Sequence, residues 1–150
     1  MTEKETPASK VFNKEVIINA GPAEVWDAIS RPELMTQWMS ETEIQVITDW
    51  KIGNPVIIKG DWYKTGFENG GVVLEYEQER KLRYSHLSSL SRLPNKPENY
   101  CVIGFELTPV DGRTTLKLEV SNFPTEVIYK HMAFYWNVAL ELLKKFVERR

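Results

Sequence analysis

The sequence predicts an α+β fold. We expect a curved antiparallel sheet of about seven strands wrapped around one long C-terminal helix, with two short helices after the first strand. Three observations predict it. Residues 124 to 150 carry apolar side chains at helical spacing, with no glycine or proline after Pro124. Residues 43 to 121 hold six strand-like runs in unbroken succession, which favours antiparallel pairing under a covering helix. Near the N-terminus a single alternating run precedes two short helical patterns, each opening on a proline.

Taken in order, Met1 to Lys10 is polar and reads as a mobile tail, leaving 11–150 as one domain. Val11 to Ala20 alternates, with Phe12, Val16 and Ile18 on one face beside Lys14, and reads as a strand. Gly21-Pro22 ends it and opens a helix to about Ser30 that carries Val25, Trp26, Ala28 and Ile29. Pro32 to Met39 reads as the second helix, with Leu34, Met35 and Trp38. Glu43 to Thr48 is a strand with Ile44 and Val46 on one face. Lys51-Ile52-Gly53-Asn54 is a turn, and Pro55 to Lys59 the next strand.

Asn69-Gly70-Gly71 reads as a second turn, because those residues supply the dihedrals a turn demands. Val72 to Arg80 and Leu82 to Ser88 follow as strands, and Ser89 to Asn99, with Pro94 and Pro97, as a loop. Tyr100 to Thr108 and Thr114 to Ser121 read as a hairpin closed around Val110-Asp111-Gly112-Arg113. In the last helix Ile128, Met132, Tyr135, Trp136, Ala139, Leu142, Leu143 and Phe146 form one stripe. Thr125 suits the N-cap, Glu126 the positive end of the dipole, and Lys144, Lys145, Arg149 and Arg150 the negative end.

Composition excludes several classes. The net charge of −2 is spread along the chain and leaves no footprint for nucleic acid or an anionic membrane. No segment is long and apolar enough to span a bilayer, and no apolar N-terminal run suits a signal peptide, so a cytoplasmic protein is expected. The single cysteine, Cys101, cannot form an internal disulfide and reads as a small buried apolar residue. Two histidines and one cysteine give no metal-ligand spacing, and Gly70-Gly71 does not precede a helix as a phosphate loop must. No metal or cofactor is expected.

The stretch Val16-Ile17-Ile18-Asn19-Ala20-Gly21-Pro22-Ala23-Glu24-Val25-Trp26-Asp27-Ala28-Ile29 resembles the opening of the START/SRPBCC superfamily, the helix-grip fold of the birch-pollen allergen. Arg31-Pro32-Glu33-Leu34 with Trp38 resembles its subfamily similar to activators of the ninety-kilodalton heat-shock protein's ATPase. Gly71-Val72-Val73-Leu74-Glu75 and Leu82-Arg83-Tyr84 resemble that subfamily's central strands, and Trp136 with Leu140 and Leu143 its terminal helix. The resemblance covers nearly all of the chain after the tail. Two positions depart from it. Tyr135 stands where the family often has glycine, and Gly53-Asn54 where it often has a glycine pair. Tyr135 puts bulk on the inner stripe, where it would shrink or reshape a cavity.

A curved sheet and one long helix leave a gap that must be filled or occupied. Met35, Trp38, Tyr84, His86, Phe105, Met132, Tyr135 and Trp136 have the composition of a ligand pocket: mostly apolar, with a few polar groups. Trp62 is a further candidate wall, though tryptophan is more often plain core. Tyr84 and His86 share one strand face with Leu82, which points them inward. His131 lies off the apolar stripe and is expected in solvent, whereas Phe134, also off it, is expected exposed and is a candidate homodimer contact.

Three functions compete. The resemblance and the aromatic stripe favour a non-catalytic binder of a small hydrophobic or aromatic molecule, such as a lipid. An enzyme of cyclase or hydrolase type would need Tyr84, His86 and a pocket carboxylate, Glu75 or Glu106, as its acid/base set. A Cys101–His86 nucleophile would need an oxyanion donor that the sequence does not supply. The resemblance also implies a co-chaperone-like interaction domain tied to stress response. Activators of that kind engage the chaperone through a separate N-terminal domain, which these 150 residues lack.

Overall fold

The computed structural model describes residues 7–62 and 64–150, apart from the side chain of Trp62. Strand β1 spans Phe12–Ile18. Helices α1 (Pro22–Ser30) and α2 (Pro32–Met35) follow, each with proline in its first turn, where a missing N–H breaks no helical bond. Strands β2 (Ile44–Ile47), β3 (Pro55–Trp62), β4 (Thr65–Glu77), β5 (Lys81–Ser88), β6 (Cys101–Val110) and β7 (Arg113–Ser121) come next, and helix α3 (Glu126–Glu148) closes the order. The strands form one antiparallel sheet in the order β1-β7-β6-β5-β4-β3-β2. The helices α1 and α2 therefore carry the chain from one sheet edge to the other, and α3 covers the concave face. This is the α+β helix-grip architecture.

Each strand buries alternate residues, as a sheet with one covered face requires. Val16 and Ile18, Leu82 and Tyr84, Ile103, Phe105 and Leu107, and Leu116, Leu118 and Val120 all face the helix. The β6–β7 hairpin turns at Asp111 and Gly112, both at positive φ (50° and 79°), the pairing a two-residue hairpin loop needs. Helix α3 starts where the Thr125 side chain accepts the Ile128 N–H.

Four readings need correction. Asn69-Gly70-Gly71 is no turn; it lies inside β4. A Cβ on Gly71 would sit 1.7 Å from the Ser85 carbonyl oxygen, so that glycine permits close approach of β4 to β5. The second helix ends at Met35 rather than Met39, and the chain continues in turns. On α3, Leu142 points to solvent, while Leu140 and Val147 are buried. The expected Val72 to Arg80 strand is part of the longer β4, which carries a bulge between Val73 and Glu75. That extra residue turns Glu75 outward toward Arg83 and brings Tyr76 back to the inner face.

Of the N-terminal tail, residues 1–6 lie outside the described residues. Pro7–Ser9 form one 3-10 turn, and the Lys10 ammonium stands 2.8 Å from the Glu126 carboxylate and 4.8 Å from the Tyr129 ring centre.

Candidate functional site

The concave side of the sheet, α3 and the α1–α2 segment enclose an aromatic interior. Trp136 is its centre. Its ring meets Phe105 of β6 edge-on at 5.7 Å, Tyr135 at 5.0 Å and Trp38 at 6.3 Å between centroids. A second run of rings joins it from the sheet side: Trp26 on Tyr76 at 5.3 Å, Tyr76 stacked on Trp50 at 6.4 Å, and Trp50 against Tyr84 at 5.9 Å.

Seven of the eight expected site residues therefore converge or are buried in this interior: Met35, Trp38, Tyr84, Phe105, Met132, Tyr135 and Trp136. The eighth, His86, sits two residues beyond Tyr84 on the same face, opposite Cys101 of β6 and close enough to α3 to feel the charge of His131. Trp62 belongs to β3, but its side chain lies outside the described residues. The interior is filled rather than hollow. A void wide enough for water would leave accessible surface on its lining, yet Trp136 and Tyr84 each retain 1%. Two surface depressions, of about 710 and 390 Å³, lie along β2–β4 and beside the β4–β5 turn, and touch none of the eight residues.

Most polar tips in this interior are paired. The Trp38 indole N–H donates to the Ala28 carbonyl at 2.9 Å, and the Tyr135 hydroxyl to the Met39 carbonyl at 2.7 Å. The Trp50 indole donates to the Ser30 carbonyl, which ties the end of β2 to the end of α1. The Trp136 indole N–H is buried with no acceptor among the described residues, as is that of Trp26.

Burial holds His86, Tyr84, Tyr135 and Cys101 neutral. Burial, reinforced by His131, pushes the His86 imidazole down to about 4. Burial pushes the Tyr84 phenol up, with Tyr135 adding to it, and pushes Tyr135 up likewise. The Cys101 thiol rises to about 12 by burial alone, so His86 does not activate it although the two are cross-strand neighbours. Glu106 is exposed and Glu75 faces Arg83, so neither acid enters the interior. Among the described residues no group of three His, Cys, Asp or Glu side chains could hold a metal ion, and no helix is long and apolar enough to cross a membrane.

Sequence reasoning missed Trp50, Tyr76 and Trp26 as part of this aromatic run. Trp50 follows a strand and precedes a turn, where no periodicity speaks, and its left-handed backbone (φ 57°) is unusual for a bulky residue. Tyr76 reaches the interior only because of the bulge.

The model of the family described as Activator of Hsp90 ATPase homolog 1-like protein matches residues 19–148. A protein of Cytophaga hutchinsonii solved in solution is similar at 34% identity, with 97% of each chain covered and a TM-score of 0.81. A crystal structure of a Mesorhizobium loti protein shares the fold at 24% identity, covering 93% of this chain and 98% of that one, TM-score 0.78. So does the solution structure of the Aha1 dimer from Colwellia psychrerythraea, at 21% identity, 93% and 96% coverage, TM-score 0.70. No curated protein matches.

Proposed function

The chain belongs to the Activator of Hsp90 ATPase homolog 1-like family, and we propose that it is a non-catalytic binder of a small, neutral aromatic molecule held between the sheet and α3. The observation that carries this reading is the unpaired indole N–H of Trp136. A buried donor without an acceptor costs about 1–3 kcal/mol, and surrounding rings are weak acceptors at best. The neighbouring indoles of Trp38 and Trp50 and the hydroxyl of Tyr135 all found backbone partners, so the fold had the means to pair Trp136 and did not. Trp26 adds a second buried indole N–H with no partner among the described residues.

The chemistry of the walls selects the ligand. Among the described residues the buried polar side chains are Ser30 and Thr114, neither of them charged, so an ionised ligand would find no counter-charge. A ring system bearing a carbonyl or ether oxygen would stack among Trp38, Phe105 and Trp136 and accept from the indole. Because the interior is filled at rest, entry requires side chains to move, with flexible Met132 and half-buried Tyr135 as the movable wall. Apparent affinity is then reduced by the fraction of molecules that are open.

The catalytic alternative has less support, since the two acids it needs lie outside the interior and the thiol is not activated. A chaperone partner remains an expectation of the family name and gains no separate support from the interior.

A thermal-shift screen of lipids, flavonoids, polyketides and aromatic acids tests the reading. Neutral aromatic members should raise Tm, by about 2.7 kcal/mol of stabilisation at a hundredfold excess over Kd. Trp136→Phe keeps a ring and removes the donor, so it should weaken binding about fivefold or more while the fold survives. A folded protein that responds to no member of the panel would overturn the proposal.

A further inference from the structure

Helix α3 is apolar on its outer side as well. Val127, Phe134, Val138 and Leu142 are exposed by 76%, 74%, 48% and 41%, and helical spacing places them on one ridge. From Val127 to Leu142 the ridge runs roughly 22 Å at 1.5 Å per residue. It is flanked on one side by Lys130 and Glu141, both exposed, and it includes exposed His131 and Lys145. Glu141 also stands 3.4 Å from Lys14 of β1, which leaves half of its side chain open to solvent.

The geometry points to a second copy of this chain as the occupant of that ridge, packed antiparallel about a two-fold axis between Phe134 and Val138. Three features favour it. About that midpoint Phe134 meets the partner's Val138 and Val138 the partner's Phe134, while Val127 and Leu142 fall against the apolar stems of the partner's Lys145 and the partner's Lys130. Lys130 and Glu141 lie on the same flank at opposite ends, so the same two-fold sets Lys130 against the partner's Glu141 twice over. A parallel pairing about a two-fold along the helix axis would instead carry these residues to opposite flanks, with neither facing its complement. The interface is small. The ridge offers on the order of a few hundred Å² per copy, below the roughly 800 Å² per partner of standard stable interfaces. The dimer is accordingly weak and concentration-dependent. It lies on the opposite side of α3 from the aromatic interior, so it does not depend on the ligand reading.

Sedimentation equilibrium on the full chain over a wide concentration range tests this. The wild type should show reversible dimerisation. Phe134→Lys should weaken it by at least about tenfold, since it removes the central contact. Lys130→Glu and Glu141→Lys should each weaken it alone, by setting like charges against each other. Mixed in equal amounts, the two single variants should associate with each other, because each then meets an opposite charge twice. Weakening by each single variant followed by that cross-rescue is what the antiparallel self-pairing predicts. All these residues are exposed, and circular dichroism checks that the variants fold. A wild type that stays monomeric at every concentration overturns the inference. So does a dimer that Phe134→Lys leaves intact, or charge variants that fail to rescue each other.

Discussion

The inner and outer faces of α3 are both apolar, yet only one is covered. The inner face presents Met132, Trp136, Ala139, Leu140, Leu143 and Val147, all buried against the sheet and the short helices. The outer face presents Val127, Phe134, Val138 and Leu142 to solvent. The two faces teach different things about the same kind of residue. Apolar area on the inner face is a term in folding, whereas on the outer face it adds almost nothing to the stability of a single copy. The inner face also carries an anomaly that packing does not explain, the unpaired Trp136 N–H. The outer face carries a pattern that folding does not explain, a ridge with matched charges at its ends.

The largest effect should separate the faces directly. Trp136→Ala removes the side chain around which the interior rings are packed, and should lower stability by about 3–5 kcal/mol. Phe134→Ala, on the same helix and only half a turn away, should stay within about 0.5 kcal/mol. Urea unfolding of the two variants measures both. Equal losses would mean that the faces are not distinct in the way described.

The comparison also shows how far the sequence can be read. The long helix, the seven strands, the proline-started short helices and the β6–β7 hairpin follow from periodicity and turn chemistry, because those signals are local. The inner stripe of α3 was legible as a stripe, but its margins were not. Leu142 lies at its edge and turns outward, while Leu140 and Val147 turn inward, since the width of a buried stripe is set by what packs against it. Gly70-Gly71 misled because glycine serves turns and close strand approach alike, and only the Ser85 carbonyl against Gly71 tells them apart. In the candidate site, alternation points Tyr84 inward and helical spacing places Trp136 on the inner stripe, whereas Phe105 is chosen for its aromatic character. Trp50 and Tyr76 depend on a left-handed residue and a bulge, which leave no periodic trace.

The next effect is electrostatic and belongs to the covered side. His86 is held down to about 4 by burial, with His131 adding to it, against an ordinary value near 6.5. Between those values the unfolded chain binds a proton that the folded chain does not. Stability therefore rises with pH across that window, and is lost as pH falls from about 6.5 to about 4. Because His86 keeps some contact with solvent, the loss is at most about 3 kcal/mol. His86→Gln should flatten that part of the Tm-against-pH curve. An unchanged curve would mean that His86 titrates as freely as a residue on the outer face.

The smallest effect sits where the faces meet. Tyr135 is half-buried, and its hydroxyl donates to the Met39 carbonyl at 2.7 Å, latching α3 onto the segment that follows α2. Tyr135→Phe keeps the ring on Trp136 and removes only the latch, so stability should drop by about 1 kcal/mol. The same variant bears on how the interior opens. If side-chain movement at Tyr135 and Met132 admits the ligand, loosening the latch enlarges the open population. Ligand association should then become faster while the protein becomes less stable. Stopped-flow binding read beside thermal unfolding separates the two. A loss of stability with no change in association rate would place the entrance elsewhere and would leave Tyr135 as a structural tie between α3 and the turn after α2.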